Sequence, residues 1–400
     1  MLIVKKFGGT SVGNTDRIKR VADRIKSEYL TGNDVVVVLS AMDQTTDELL
    51  ELAHILNDNP PAREMDALLA TGEQTSVALM CMALNAINVP AISLNAFQVA
   101  MRSTADHMNA RLKKIDTDRI KHELDARKVV VVTGFQGLDS YGDITTIGRG
   151  GSDTTAVAIA AAMHADACEI YTDVDGVYTA DPRIVPNAKK LEEITYDEML
   201  ELASIGAQVL HNRCVDLAKK YGVTLVVRSS LTEEEGTSVK EVVSVESMLV
   251  SGVAADKNSA RITVKGLPDA PGSEFRIFDL LSSNSLNVDA ILQNPGVDGK
   301  IDVSMMVSKD RLERAVKLLN DNLARIKAEG VEVDDTVAKV SIVGAGIQSN
   351  PGVATKMFEA LYNAGINVKV TYTSEVRITV LIDEHDMETA VRAVHEALTA

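Results

Sequence analysis

Cysteine and positive charge are both in short supply in this chain of 400 residues. The three cysteines, Cys81, Cys168 and Cys214, are an odd number and match no metal or redox spacing, so we expect a reducing compartment. The 41 Lys and Arg residues are outnumbered by 57 Asp and Glu residues, which gives a formal net charge of -16. This charge argues against nucleic acid and against an anionic membrane as partners.

Signals for export, membrane insertion and P-loop phosphate binding are also missing. The N-terminus, MLIVKKFGG, lacks the apolar segment of a signal peptide. No apolar run approaches the ~18 residues of a membrane-spanning helix, so we expect a cytoplasmic protein. The absence of a G-x-x-x-x-G-K-[ST] motif excludes a P-loop. The seven histidines show no metal spacing, and we predict no metal site formed by protein side chains.

Strands and helices alternate over the first part of the chain. Short apolar runs predict strands, amphipathic or alanine-rich segments predict helices, and this alternation predicts a mostly parallel sheet covered on both faces. Such sheets bind ligands at the carboxyl ends of their strands, where the turns KFGGTSV, LSAM, TGFQG and YTDVDG would meet. The predicted strands are 2–6, 35–39, 91–94, 129–133, 168–172 and 223–228, and the predicted helices include 14–29, 46–56, 71–86, 196–203 and 207–219.

The C-terminal part contains an internal repeat. Pro271-Gly272 and Asn287-Val288 recur 80 residues later as Pro351-Gly352 and Asn367-Val368, which indicates a duplication. Each copy has the ferredoxin-like order of strand, helix, strand, strand, helix, strand, but the second lacks its final strand. A strand near 248–253 would fill that place, or would instead pair with a partner chain. The predicted domains are 1–240, then 258–334, then 248–257 together with 335–400.

The stretch TIGRGGSDTTA surrounds Arg149 with glycines in front of an alanine-rich helix. Glycines let a ligand approach the backbone, and a helix N-terminus attracts an anion. The guanidinium of Arg149 fits a carboxylate or a phosphate. Ser152 or Asp153 is the predicted helix cap. These residues point to a site where an acidic substrate meets a phosphate, although an ordinary turn and helix cap would show the same pattern.

Two other turns have the composition of a phosphate or nucleotide site. In KFGGTSVG, Lys6 precedes glycines whose N–H groups can form an anion nest, although a solvated lysine at a strand end is the simpler alternative. In TDVDGVYTADPR, Tyr178 suits a base or sugar and Arg183 a phosphate. That loop also reads as an Asp-rich turn. Asp173 or Asp181 could serve as calcium ligands, but the loop lacks EF-hand spacing.

Two polar residues near helix starts have ambiguous roles. Glu73 lies in TGEQTS and could pair with a substrate ammonium group or only complement a helix dipole. Thr46 could contact substrate or simply cap its helix.

In this order, KFGGTSVG, LSAMDQTTDEL, TGEQTS, GRGGSDTTA and TDVDGVYTADPR resemble the aspartate kinases of the amino-acid kinase family, and the repeats resemble ACT domains. The resemblance implies a three-layer α/β kinase domain with a mostly parallel sheet, followed by two ferredoxin-like ACT-type domains. It implies transfer of the γ-phosphoryl group of Mg-ATP to the side-chain carboxylate of L-aspartate, giving 4-phospho-L-aspartate, the entry to lysine, threonine and methionine synthesis. The resemblance implies ATP and Mg2+ as cofactors.

The resemblance also implies residue roles and partners. Lys6 and Asp153 would be catalytic. Lysine, threonine or both would be effectors, the ACT-like domains would form a homo-oligomer, and neither nucleic acid nor membrane would be bound. Aspartate would be bound by Ser40, Thr46, Glu73, Arg149, Gly150, Gly151 and Ser152; ATP by Lys6, Phe7, Gly8, Gly9, Thr172, Asp173, Tyr178, Asp181 and Arg183; and the effector by Asp269, Gly272, Gln293, Asn367 and Val368.

Some positions depart from the family pattern. Gln208 stands where some relatives have a nucleotide-contacting lysine, so no contact is assigned to it, and VLHNRCV replaces the more usual VLHPRSV. An internal start at Met248 would yield a separate small subunit, and the sequence does not test this. Three alternatives stay open: a kinase for another small acid such as glutamate, a catalytically silent amino-acid sensor, and repeats that only dimerise the chain.

Overall fold

The computed structural model describes residues 1–206, 209–242, 249–295, 299–347 and 349–399, so Gln208 and Met248 lie outside the described residues. The chain divides into two compact units, described separately below. The first comprises Met1–Tyr178 and Lys189–Ser247, and the second comprises Thr179–Ala188 and Met248–Ala400. The grouping of Thr179–Ala188 with the second unit differs from the predicted domain 1–240.

The first unit contains one large sheet and one small sheet. In chain order its strands are β1 (Leu2–Phe7), β2 (Asp34–Leu39), β3 (Ala91–Leu94), β4 (Arg102–Ser103), β5 (Leu112–Lys114), β6 (Val129–Thr133), β7 (Gln136–Leu138), β8 (Ile144–Thr146), β9 (Ala167–Thr172), β10 (Glu193–Thr195), β11 (Leu225–Ser229) and β12 (Thr237–Lys240). The 8-stranded sheet has the order β10-β12-β11-β9-β1-β2-β6-β3. Its neighbours are all parallel except β11 and β12, which confirms the predicted mostly parallel sheet.

The central strands are continuous apolar runs because helices cover both faces of the sheet. All of 35–39 and 129–133 is buried, as the uninterrupted valines predict. The helices of this unit are α1 (Thr15–Leu30), α2 (Thr45–Leu56), α3 (Ala62–Ala86), α4 (Asp118–Asp125), α5 (Gly151–Met163), α6 (Tyr196–Ser204) and α7 (Asn212–Tyr221).

Helix α3 is longer than predicted. It begins at Ala62 rather than at residue 71. By length and composition it is apolar enough to cross a membrane, so the prediction that no segment has these properties is wrong. Within the first unit α3 instead packs as a core helix against α1, β3, β6 and β8. Asp66 and Glu73 on this helix are both buried and hydrogen-bonded.

The second unit contains two four-stranded sheets. Its strands are β13 (Gly252–Asp256), β14 (Ala260–Pro268), β15 (Asp289–Pro295), β16 (Lys300–Val307), β17 (Gly330–Asp334), β18 (Val337–Val343), β19 (Val370–Thr373) and β20 (Arg377–Asp383), and its helices are α8 (Ser273–Ser283), α9 (Lys309–Asp321), α10 (Leu323–Ile326), α11 (Gly352–Asn363) and α12 (Met387–Thr399). The orders are β15-β16-β14-β17 and β13-β18-β20-β19. Strand β13 pairs antiparallel with β18, so a strand that precedes the first repeat completes the sheet of the second.

The two repeats share a small apolar cluster of Met306, Val337 and Leu381. The segment Thr179–Ala188 also contributes to the second unit. Its Ala180 and Val185 are buried in the core around β18 and β20, and the Thr179 Oγ1 to His395 Nε2 distance is 2.8 Å.

Candidate active site

The carboxyl ends of β1, β2 and β6 lie side by side, because β1 pairs with β2 and β2 with β6. The chain leaves each strand in a turn. Ser40 N donates to Phe7 O at 3.2 Å, and Gly134 N donates to Leu39 O at 2.9 Å. Three of the turns predicted to meet, KFGGTSV, LSAM and TGFQG, are therefore neighbours.

Lys6 lies at this edge, one residue before the end of β1. It is 9% exposed, and its Nζ lies 2.5 Å from Oδ1 of Asp153, which is in the first turn of α5. A Cβ at Gly8 would lie 3.5 Å from the same Nζ, so the glycine leaves the ammonium group open to a ligand. The structure thus brings together the two predicted catalytic residues.

The glycine turn after β1 offers backbone donors, although not all of those predicted. The N–H of Gly8 already donates to Tyr171 O at 3.3 Å, so it is not part of an anion nest. Gly9 and Thr10 open a short 3-10 turn over Gly9–Val12, and the first N–H groups of such a turn have no acceptor inside it. The amides of Gly9 and Thr10, rather than that of Gly8, are therefore the ones left available to an anion.

Glu73 on α3 faces the turn after β2. Its Oε1 accepts from Ala41 N at 3.1 Å, and its Oε2 is buried with no hydrogen-bond partner among the described residues. Burial raises the pKa of Glu73 from its ordinary 4.5 to about 7. A carboxylate with one unused buried oxygen is suited to an ammonium group, which would supply the missing partner.

The neighbouring residues hold the turn after β2 in place. Ser76 Oγ donates to Ser40 O at 2.8 Å.

Thr46 is half-buried in the first turn of α2, but Gln44 is the residue at the N-cap, so Thr46 does not cap that helix.

The turn from Gly148 to Gly151 leads into α5. Gly148 and Gly150 have φ of 84° and 66°, the left-handed region that favours glycine. Gly150 is the N-cap of α5, so the prediction that Ser152 or Asp153 caps this helix is wrong: the left-handed turn places both in the first helical turn. Arg149 is exposed and makes no hydrogen bond or ion pair to other described residues.

Two close contacts attach this turn to the rest of the site. A Cβ at Gly134 would lie 2.5 Å from Ser152 Oγ, so the end of β6 and the start of α5 touch. A Cβ at Gly150 would lie 2.3 Å from Cβ of His211. The pKa of His211 is lowered by burial and by the nearby Arg213. His211 has no role that the sequence predicts, since its proximity to Gly150 arises only in the fold.

The end of β9 and the loop after it hold three of the predicted nucleotide contacts, Thr172, Asp173 and Tyr178. Thr172 Oγ1 donates to Asp173 Oδ1 at 2.9 Å, and Tyr178 OH donates to Asp175 at 3.0 Å. Asp175 also lies 3.5 Å from Lys190 Nζ. Internal hydrogen bonds and an ion pair thus order this loop.

Asp181 and Arg183 belong to the second unit and form an ion pair with each other at 2.6 Å. The structure does not group them with the other predicted nucleotide residues, which are in the first unit.

The predicted effector residues are all in the second unit. Gly272 is the N-cap of α8, in a left-handed conformation with φ of 91°, and Asp269 N donates to Gly299 O at 3.0 Å. Gln293 is exposed on β15, while Asn367 and Val368 lie between α11 and β19. Their role as an effector site is a prediction.

One cluster of potential metal ligands was not expected from the sequence. Ligand atoms of Asp383, His385 and Asp386 lie within 4.8 Å of one another in the second unit. Asp383 is already paired with Lys369 at 2.7 Å, and the His385 side chain is 78% exposed. We assign no metal to this cluster, because exposed acidic groups commonly lie together without one.

Comparison with known proteins places this geometry in a family. Residues 1–229 match the model of the amino acid kinase family, and residues 340–398 match that of the ACT domain. The aspartokinase of Bacillus sp. (strain MGA3) is 50% identical over 397 residues, which cover 99% of this chain and 97% of that protein. This chain belongs to the aspartokinases.

Solved aspartokinases share the fold over the whole chain. E. coli aspartokinase III in complex with aspartate and ADP, in the R-state, has a TM-score of 0.84 at 26% identity, covering 100% of both chains. The same enzyme in complex with lysine and aspartate, in the T-state, has a TM-score of 0.78 at 26% identity and the same coverage. The resemblance to aspartate kinases, the fold class and the assignment as an ATP-dependent kinase are therefore confirmed.

Proposed function

We propose that this aspartokinase transfers the γ-phosphoryl group of Mg-ATP to the side-chain carboxylate of L-aspartate, giving 4-phospho-L-aspartate. One observation carries the proposal. At the ends of adjoining strands, Lys6 lies between the carboxylate of Asp153 and the glycine turn after β1. Nearby in the same unit, Oε2 of Glu73 is buried and has no hydrogen-bond partner among the described residues. The first arrangement suits a phosphate, and the second suits an amino acid.

The reaction brings two anions together, so its main requirement is positive charge at the point of contact. Lys6 would contact the transferred phosphoryl group and stabilise the charge that develops on it. Asp153, 2.5 Å away, would fix the direction of that ammonium group. No general base is required, because the attacking side-chain carboxylate, with an ordinary pKa of about 3.9, is ionised at neutral pH.

Aspartate would be held at its two ends. Glu73 would accept the α-ammonium group through its unused Oε2, and Arg149 would bind the α-carboxylate through its planar fork. Ser40, Thr46 and Ser152 would line the pocket, and Gly150 and Gly151 would let the substrate approach the backbone. With both ends held, the side-chain carboxylate would point toward Lys6.

ATP would lie over the glycine turn after β1, with its phosphates on Lys6 and on the amides of Gly9 and Thr10, next to Phe7 and Gly8. Thr172, Asp173 and Tyr178 would contact the rest of the nucleotide. Asp181 and Arg183 stay predicted contacts.

Mg2+ bound to the phosphates would neutralise part of their charge. Asp153, whose Oδ1 is 2.5 Å from Lys6 Nζ, is already neutralised and is not needed as its ligand.

The second unit would regulate the first. Asp269, Gly272, Gln293, Asn367 and Val368 would bind an end-product amino acid, lysine or threonine or both, and the ACT-like repeats would pair between chains. The enzyme would be cytoplasmic and would catalyse the first step toward lysine, threonine and methionine. The binding of lysine by an aspartokinase of the same fold supports this part of the proposal.

The direct test is a coupled ADP-release assay with aspartate as acceptor, repeated with glutamate and with each effector. We expect rapid ADP release with aspartate and little with glutamate, together with trapping of the acyl phosphate as a hydroxamate by hydroxylamine. Lysine, threonine or both together are expected to reduce the rate. Equal rates with both acceptors would favour a kinase for another small acid, and no ADP release would favour a silent sensor.

A further inference from the structure

The segment His107–Ala110 lies directly behind the turn that carries Arg149. Ala110 N donates to Thr146 O at 2.9 Å, at the end of β8. A Cβ at Gly148 would lie 3.1 Å from Met108 O, so the backbone of this segment touches the start of the turn. Any shift of this segment would therefore be passed to the turn.

Asp66 on α3 ties this segment to β8. Its carboxylate is fully buried, and it accepts from Thr146 Oγ1 at 2.5 Å and from Met108 N at 3.0 Å. His107 Nδ1 is 2.7 Å from its other oxygen. One buried charge thus holds both sides of the junction with charge-assisted hydrogen bonds, which are stronger than neutral ones.

Arg213, in the first turn of α7, ties the same two pieces of chain. Its Nη1 donates to Ile147 O at 2.5 Å, one residue before Gly148, and its Nη2 donates to Ala110 O at 2.9 Å. The fixed fork of a guanidinium reaches both carbonyls at once, whereas a lysine ammonium would reach only one of them in the same geometry.

We propose that Arg213 and Asp66 are positioning residues for the aspartate-binding turn, because they fix the backbone on which Arg149 stands. Neither residue needs to touch the substrate. A planar carboxylate–guanidinium contact tolerates little misplacement, so loosening its backbone weakens aspartate binding before it affects ATP. The inference rests on the proposed role of Arg149.

The test compares Arg213→Gln and Arg213→Lys with the wild-type enzyme by initial rates, varying aspartate and ATP separately. Arg24→Gln is the matched control, since the Arg24 guanidinium also binds two backbone carbonyls, Ser229 O at 2.9 Å and Thr232 O at 2.6 Å. We expect Arg213→Gln, which removes the charged hydrogen bonds to Ile147 O and Ala110 O, to raise KM for aspartate at least about tenfold, with KM for ATP nearly unchanged. The aspartate KM of Arg213→Lys should lie between those of the wild-type enzyme and Arg213→Gln. Arg24→Gln should leave KM for aspartate unchanged.

A double variant separates positioning from a general loss of structure. If Arg213 acts through Arg149, Arg149→Ala with Arg213→Gln should have the aspartate KM of Arg149→Ala alone, because the two effects are not additive. Additive effects, or equal changes in both KM values, would overturn the inference. If Arg213→Gln does not fold, an unchanged aspartate KM in both Arg213→Lys and Asp66→Asn overturns it. An unchanged aspartate KM in Arg149→Ala would instead refute the proposed function of Arg149.

Discussion

The protonation of Glu73 should make aspartate binding depend on pH near neutrality. Glu73 is 3% exposed, and its burial raises its pKa to about 7 in the free enzyme. Binding an ammonium group requires the ionised form, so below pH 7 a proton must leave first. KM for aspartate at pH 6 is therefore expected to be about tenfold its value at pH 8, since each pH unit below the pKa costs about a factor of ten.

Glu73→Gln is the decisive comparison. Its KM for aspartate should be high at all pH values and should lack the rise between pH 8 and pH 6. The γ-phosphate of ATP also titrates at about pH 6, as phosphate monoesters do, but it does so equally in both enzymes. A flat profile in the wild-type enzyme, or the same slope in Glu73→Gln, would refute the assignment of Glu73 to the ammonium group.

The same carboxyl should affect stability, with a sign fixed by its pKa. The folded-state pKa is higher than that of the unfolded chain, so the folded state binds the proton more tightly and stability falls as pH rises from about 4.5 to 7. The full change in pKa from 4.5 to about 7 corresponds to about 3 kcal/mol in the free energy of unfolding. Denaturant titrations should show wild type losing stability relative to Glu73→Gln between pH 5 and pH 8. A constant difference would contradict this.

Two further substitutions test the role of Lys6 and that of the glycine turn in front of α5. Lys6→Ala should lower kcat about a hundredfold or more with the fold intact, as measured by circular dichroism, because a charged donor to the transition state is lost. Lys219→Ala, which removes a surface ion pair of 2.6 Å, should leave kcat near wild type. Gly150→Ala should raise KM for aspartate strongly, since its Cβ would lie 2.3 Å from His211. Gly142 also has a positive φ, but a Cβ at this position would meet nothing within 4 Å. Gly142→Ala should therefore leave KM for aspartate unchanged. Equal effects in either matched pair would contradict these roles.

Much of the fold of the first unit could be predicted because several of its strands are short apolar runs, most clearly the valines of β2 and β6. The strands at 91–94 and 129–133 have the predicted bounds. The start of α3 was missed because its first turns carry charged residues, among them Asp66, whose burial depends on partners from β8 and 107–110. Strands β4, β5, β7 and β8 have only two or three residues each, too few to show alternation.

The candidate site was predicted unevenly. Lys6 and Asp153 lie in recognisable turns, and the parallel sheet explains why they meet. The amide of Gly8 is not available to a ligand, because it donates to Tyr171 O. That hydrogen bond depends on the pairing of β1 with β9, which the local sequence does not show. Arg213 is far in sequence from the turn that it supports, so only the fold shows its contact with Ile147.

The central claim is that Lys6 and Glu73 together hold a phosphate donor and an amino acid without a P-loop. Lys6 lies at the end of β1, and Glu73 on α3 contacts the turn after β2. A crystal structure with Mg-ADP and aspartate tests this claim most directly. We predict the phosphates on Lys6 and the amides of Gly9 and Thr10, and the aspartate between Glu73 and Arg149. Aspartate bound elsewhere, or phosphates away from Lys6, would contradict the account.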